Sequence, residues 1–373
     1  MTMTEVLPLL DAWTAAGVGA GRAVVVRVFG SAPRPEGAVL LVAADGRLAG
    51  SVSGGCVEGA AAEEIARART DGHARVIRYG ISDDLARSVG LACGGTIDVL
   101  VEPEVRPEVA AAARERGRAV CIPLPADAPG DAPGPVVAGA GEPPGAALVV
   151  GDDGTVAGAT GDAATDAALV AAAGAALDRG RSALVVAGGR RWLVEAFPRP
   201  PRLVIVGAVQ VAIPLVTFAR TLGWRTVVID GRSAFATRER FPDADEIVAA
   251  WPDEAADAIG LGPADSVAVL SHDVKFDEPA IVTALARGCR YVGAVGSRRT
   301  QADRRERLRA AGVADADLAR LHGPIGLDLG GRAPAETALA ILAEMVAARY
   351  GGSGSPLAER ARAEAAGSEP ALR

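Results

Sequence analysis

The chain has 373 residues, half of them hydrophobic but only 3% aromatic, so its cores must be built mainly from Ala, Val and Leu. That length supports two or three domains, and a formal net charge of −7 argues against a nucleic-acid or anionic-membrane partner. No apolar run reaches the ~18 residues of a membrane span, and "MTMTEVLPLLDAW" has neither the basic start nor the cleavage site of a secretory signal.

In chain order, a helix is expected over 4–16, then a strand, "AVVVRVF". The loop "GSAPRPEG" leads to a second strand, "AVLLVA", whose turn "ADG" suits a hairpin into "RLAGSVS". Val57 to Ala68 reads as a helix, and "ARVIRY" and "TIDVLVE" as two more strands. A second copy of this unit follows. "GAVLLVAADGRLAG" (37–50) aligns without gaps on "GAALVVGDDGTVAG" (145–158), matching at eight of fourteen positions. The second copy lacks "SGGCVEG", the "GSAPRP" loop and "ISDDLARSVGLACGG", so those segments are not needed merely to complete a fold. Between the copies a Pro/Gly-rich stretch reads as linker. From Arg202 short apolar strands alternate with helices, the pattern of a doubly wound parallel sheet whose ligands sit beyond the strands' carboxyl ends.

The expected organisation is therefore 1–120, an α+β domain with Gly-Cys loops; 121–198, a linker and degenerate repeat; 199–350, a Rossmann-like domain; and 351–373, a disordered tail.

Several residues could carry chemistry. Cys56, after Gly54 and Gly55, stands at the start of a helix, where backbone N–H groups and the helix dipole favour thiolate. The glycines allow an anion-accepting concavity and a close ligand approach. Cys93, beside Gly94 and Gly95, has similar freedom, and the two thiols could bind a soft metal centre, carry sulfur or close a disulfide. The alternative is that both are small buried hydrophobes. The four cysteines, Cys121 and Cys289 included, show neither CxxC nor zinc spacing, so reduced thiols in the cytoplasm are expected. Arg34 is held between prolines, a stiff presentation that suits phosphate or carboxylate. In the second half, "GAVQVA" places Gly207 and Ala212 at the outer positions of a dinucleotide fingerprint but Val209 at the middle glycine, which weakens ordinary NAD binding. Asp230 ends the second strand, where a ribose-binding acid would be. His272, between Ser271 and Asp273, lies at another strand end. Gly296, Ser297 and Arg298 open a further helix, a natural anion site.

Taken together, "GSAPRPEGAVLLV", "GSVSGGCVEGA", "YGISDD", "GLACGGTIDVLVEP", "YVGAVGSRRT" and "PIGLDLGGRAPAETALAILAE" resemble the XdhC/CoxI family, accessory proteins of molybdenum hydroxylases such as xanthine dehydrogenase. The resemblance implies a chaperone rather than a turnover enzyme. Such a protein binds the molybdenum cofactor, a molybdopterin in its simple or cytidine dinucleotide form. It holds that cofactor while a cysteine desulfurase installs a sulfido ligand, and delivers it to an apo molybdenum hydroxylase. Implied cofactor contacts are Cys56 with Gly54 and Gly55, Cys93 with Gly94 and Gly95, and Gly207, His272, Gly296, Ser297 and Arg298, with Cys56 or Cys93 toward the metal. Arg34 would contact phosphate or pterin. The family reads G-A-G-H-V-A/G where this chain has "GAVQVA", so Val209 and Gln210 alter that loop. The competing readings are an NAD(P)-dependent oxidoreductase and a persulfide carrier. A homodimer is compatible with the apolar Ala/Val surface.

Overall fold

A computed structural model describes residues 1–30, 33–80, 95–130 and 145–359. The chain divides into two compact units, Met1–Arg199 and Pro200–Arg373.

The first unit opens with α1 (Met3–Ala15), whose entry is tied by the Glu5 carboxylate accepting the Thr2 N–H at 2.6 Å. Then come β1 (Ala20–Phe29), β2 (Val39–Ala43), β3 (Leu48–Gly50), α2 (Glu58–Asp71), β4 (Arg75–Tyr79) and β5 (Thr96–Glu102). The same seven elements recur in order: α3 (Pro107–Glu115), β6 (Arg118–Pro123), β7 (Leu148–Gly151), β8 (Val156–Ala157), α4 (Ala163–Arg179), β9 (Ala183–Ala187) and β10 (Arg190–Phe197). Each set forms a five-stranded antiparallel sheet, ordered β3-β2-β1-β5-β4 in the first and β8-β7-β6-β10-β9 in the second. The matching strand order extends the repeat read from residues 37–50 and 145–158. The second set begins at Pro107, ahead of the sequence-read boundary at 120. Its first helix, "PEVAAAARE", hides in an alanine run whose buried face is methyl groups and one valine.

Alternation within a strand places the cores. On β1, Ala23 and Val25 face α2 with Ala61, Ile65 and Ala68. Val24 and Val26 face the other way, into a cluster with Leu10 and Trp13 of α1. On β6, Ala119 and Cys121 face α4, while Val120 and Ile122 join the same central cluster as Val24. Both sheets are thus covered on two faces, which is why their strands read as continuous apolar runs. Through the centre passes a fully buried arginine: Arg22 Nε meets Glu102 at 2.6 Å and its NH1 meets Glu195 of the second set at 2.8 Å.

The second unit holds β11 (Arg202–Val206), α5 (Ala212–Thr221), β12 (Arg225–Ile229), β13 (Glu246–Val248), α6 (Pro252–Ala258), β14 (Asp265–Val269), α7 (Val274–Ala286), β15 (Tyr291–Ala294), α8 (Arg298–Ala310), α9 (Asp315–Leu318), β16 (Leu321–His322) and α10 (Pro334–Tyr350). Its six strands are parallel, in the order β13-β12-β11-β14-β15-β16. This is the 3-2-1-4-5-6 order of the Rossmann fold, with its switch point between β11 and β14. The chain is therefore α/β throughout: a duplicated α+β unit followed by a Rossmann-like doubly wound one. No helix among the described residues is long and apolar enough to cross a membrane.

Candidate functional site

Topology gathers the sequence motifs at one corner of the first sheet. β1 and β4 end there and β5 begins there, since Phe29 pairs with Thr96 and Tyr79 with Ile97. β2 begins and β3 ends there too, since Leu40 pairs with Gly50. The 30–38 loop, the 51–57 loop and the 80–95 loop therefore leave the sheet at the same edge. An ideal Cβ on Gly54 would lie 3.7 Å from Pro33, so the Gly-Cys loop packs on the proline loop that carries Arg34. Cys93 and Gly94 lie outside the described residues; Gly95 is buried just ahead of β5.

The 51–57 loop is organised by a carboxylate that the sequence reading did not single out. Glu58, first residue of α2, folds back into the loop. Its Oε1 accepts from Ser51 Oγ (2.6 Å), Val52 N (3.1 Å) and Ser53 N (2.9 Å). Its Oε2 accepts from Ser53 Oγ (2.6 Å) and Gly55 N (2.8 Å). Ser53 Oγ in turn accepts from the N–H groups of Cys56 and Val57, both at 2.9 Å. Partial burial pushes the Glu58 pKa up, but the Ser51 and Ser53 hydroxyls and the backbone N–H groups outweigh it and hold the carboxyl at about 2. The concavity expected to accept an external anion is thus filled by the chain's own carboxylate. Gly54 and Gly55 keep positive φ, +84° and +120°, and no atom of the described residues lies within 4 Å of a Cβ built on Gly55.

Cys56 stands one residue before the N-cap Val57, on the loop rather than in the first turn of α2. It is half-buried, free of disulfide, and packed against the apolar cluster beneath α2. Arg34, in the proline loop, and Tyr79, at the end of β4, each bury a polar atom (Nε and the hydroxyl) that has no hydrogen-bond partner among the described residues. Such groups are costly unless something else satisfies them.

The second copy shows what the scaffold alone requires. Gly50 (φ +90°) and Gly158 (φ +88°) occupy matching places, and a Cβ on either would collide with a backbone carbonyl, Val39 O at 2.1 Å or Ala147 O at 2.6 Å. Eight residues beyond each glycine stands an acid, Glu58 or Asp166. Asp166 Oδ1 accepts from Thr160 N (2.8 Å) and Thr160 Oγ1 (2.6 Å), as Glu58 does from Val52 N at the matching position. The glycine and the acid thus belong to the fold. The cysteine, the Gly-Gly pair and the Arg34 loop belong only to the first copy.

In the Rossmann-like unit Gly207, Asp230 and His272 follow the carboxyl ends of β11, β12 and β14. Gly207 (φ +105°) permits close packing at the switch point, since a Cβ there would be 2.9 Å from Ser271 N. Val209 packs against the apolar cluster around α5 and α10. Asp230 is buried and both its oxygens are taken: Oδ2 accepts from Ala208 N (2.8 Å) and Arg232 NH2 (2.7 Å), and Oδ1 from Arg232 N and Nε (both 2.9 Å). Burial raises its pKa, and the Arg232 and Ala208 hydrogen bonds more than reverse this, leaving it lowered. A ribose hydroxyl would have to displace one of these partners. His272 is exposed at φ +62°. Ser297 caps α8 by accepting Thr300 N at 3.1 Å, Gly296 (φ +138°) precedes it, and Arg298 is exposed. Sequence reasoning missed a buried relay here: Ser271 Oγ donates to Asp277 at 2.6 Å, and Arg304 holds the other Asp277 oxygen at 2.8 Å. Among the described residues no group of three or more His, Cys, Asp or Glu is placed to hold a metal ion.

Comparison with known proteins adds the following. A model of the XdhC and CoxI family matches residues 13–80, and a model of the XdhC Rossmann domain matches residues 203–345. The chain is 26% identical over 337 residues to a probable xanthine dehydrogenase subunit of Bacillus subtilis, covering 88% of this chain and 92% of that one. Over 81 residues it is 47% identical to the molybdenum cofactor insertion chaperone PaoD of Escherichia coli, covering 22% of this chain and 25% of the other. A crystal structure of a xanthine dehydrogenase from Bacillus halodurans superposes with a TM-score of 0.65 at 25% identity, over 93% of this chain and 96% of that one.

Proposed function

Because the chain belongs to the XdhC and CoxI family, we propose that it is an accessory protein in the maturation of a molybdenum hydroxylase. It binds the molybdenum cofactor as cargo, holds it while a cysteine desulfurase installs the sulfido ligand, and hands it to the apo-enzyme in the cytoplasm. The observation that carries this reading is the asymmetry of the repeat: two copies of one scaffold, with the cysteine, the Gly-Gly pair and the arginine loop at one corner of only the first. The 47% identity to an insertion chaperone supports it.

The cargo is a pterin dithiolene with a terminal phosphate and a soft, oxidisable metal centre. Arg34, whose buried Nε has no partner among the described residues, binds the phosphate or pterin edge. Gly54 and Gly55 let the loop backbone approach closely, and Cys56 faces the metal end as ligand or guard. The family resemblance adds Cys93, Gly94 and Gly95, of which Gly95 stands just ahead of β5. Glu58 does not touch the cargo; it positions the loop that does.

The test is anaerobic. Purified protein is incubated with freshly released cofactor and desalted, and retained molybdenum and pterin are quantified for wild type, Cys56→Ala and Arg34→Ala. Retention by wild type with loss in either variant is expected. Equal retention by all three would move the site away from this corner, and no retention by wild type would end the cofactor reading. The persulfide-carrier alternative separates by intact mass after exposure to a desulfurase, where only a carrier gains a sulfur.

A further inference from the structure

We propose that strand β9 is an association edge, and that two molecules of this chain pair antiparallel along it to join their second sheets into one. The two sheets of the duplicated unit have matching edge strands, β4 in the first copy and β9 in the second. The shift that aligns 37–50 on 145–158 sets Arg75 against Ala183 and Arg78 against Val186. An exposed strand edge is a template for pairing with another chain, and charged side chains are a common guard against it. β4 is guarded. Arg75 pairs with Asp71 and lies 3.6 Å from Glu64, while Arg78 holds Asp98 on the neighbouring strand at 2.6 and 2.7 Å. Every residue of β4 is buried. β9 has neither arginine. It reads Ala-Leu-Val-Val-Ala, without a charge or a proline, and Val186 is 70% exposed, more than any other large apolar residue in the described strands.

The backbone of β9 is only half used by its own sheet. Val186 stands opposite Arg191, whose carbonyl accepts from Leu124 N at 2.9 Å on the far side of β10. In an antiparallel ladder the main-chain groups of such a facing pair point away from each other. Those of Val186, and of Leu184 two residues before it, therefore point off the free edge of the sheet. That row is complementary to itself. With a two-fold axis at Val185, Leu184 faces the partner's Val186 and exchanges both N–H···O bonds with it, and Ala183 faces the partner's Ala187. Each side-chain pair so formed is apolar, and no like charges meet, since Arg181 falls opposite the partner's Gly189. The Gly188-Gly189 turn, at φ +56° and +72°, closes the hairpin without a side chain to collide there. The self-matching register, and the absence of any charge that would select a different strand, favour a second molecule of this chain over a strand of another protein. The interface does not depend on the cofactor reading of the Gly-Cys corner.

The full-length protein is analysed by sedimentation equilibrium at micromolar concentration and by mild oxidative crosslinking. Wild type should sediment with the mass of two chains. Val186→Arg restores the residue type found at the matching place in the first copy, and Val186→Pro removes an N–H that the monomer does not use. Both should sediment as single chains with unchanged far-UV circular dichroism. Val185 would meet its counterpart on the axis with Cα atoms about 4.5 Å apart, within disulfide reach. Val185→Cys should therefore form an intermolecular disulfide at that position, identified by peptide mass, and Val186→Arg in the same chain should abolish it. If a Val186 variant fails to fold, the Val185→Cys crosslink decides alone. A monomeric wild type would overturn the proposal, as would a dimer that survives both Val186 changes or one in which Val185→Cys does not crosslink.

Discussion

Replacing Glu58 by glutamine tests the account of the Gly-Cys loop most directly. The carboxylate accepts five hydrogen bonds from Ser51, Val52, Ser53 and Gly55. Glutamine keeps the shape but offers one acceptor oxygen and turns an N–H₂ donor on N–H partners that need an acceptor. A carboxyl held at about 2 rather than 4.5 corresponds to roughly 3 kcal/mol by linkage. The loop is open to solvent on one side, and screening reduces this to about 1–2 kcal/mol. The sign follows from the lowered folded-state pKa. The stabilisation is complete above the unfolded-state value near 4.5 and is lost as pH falls through about 2. Urea unfolding of wild type and Glu58→Gln between pH 7 and pH 2 should therefore show a gap of about 1–2 kcal/mol at neutral pH that closes on acidification. Parallel curves, or a gap below about 0.5 kcal/mol throughout, would refute the carboxylate's role.

Gly50→Ala and Gly158→Ala should each cost on the order of 2–4 kcal/mol in denaturant melts, because the new Cβ meets a carbonyl oxygen at positive φ; Gly17→Ala, at φ +73° with empty space around it, should cost about 1 kcal/mol. Arg22→Leu leaves Glu195 buried without its ion-pair partner, while Glu102 keeps Arg106, and should destabilise by about 3–5 kcal/mol near neutral pH. Burial already raises the Glu195 carboxyl against the pull of Arg22, and without that cation it rises further, so the deficit relative to wild type should shrink as pH falls and the group protonates. Burial pushes the Cys121 thiol up to about 12 and the Cys289 thiol up to about 11. At pH 8, mass-resolved alkylation of the native protein should therefore mark Cys56 well before either, and a native Cys121 that labels as fast as Cys56 would contradict its burial.

The strands and hairpins of the first unit were legible because their apolar runs are short and punctuated by turns such as "ADG" at 44–46. The parallel sheet was legible because short apolar strands alternate with helical segments from Arg202 onward. The start of the second copy was not, since α3 offers almost nothing but methyl groups to a periodicity argument. The position of Asp230 could be read, but not that Arg232, two residues on, would return to occupy it.

The duplication changes how the glycine-rich motif should be weighed. A Gly-Gly-Cys run before a helix invites the reading that its N–H groups exist to hold a ligand's anion. Yet Asp166 satisfies Thr160 in the second copy much as Glu58 satisfies Val52 in the first, although that loop of the second copy has no cysteine and no glycine pair. A carboxylate returned to the strand-to-helix loop is therefore a property of the scaffold. Anion recognition by this backbone was spent on the chain itself before any ligand arrived. Selectivity at the corner must then come from what the first copy adds: side chains such as Arg34 and Cys56, and the edge over Gly55, where a Cβ would meet no atom of the described residues. On this argument Gly55→Ala is more informative than any change to the N–H donors. Its alanine would stand at φ +120°, a strained conformation, but in open space. If the edge over Gly55 is where the cargo lies, cofactor retention should fall well beyond what the loss of stability explains, with retention and urea melts measured on the same preparation. Retention that falls only in step with stability would return Gly55 to the scaffold.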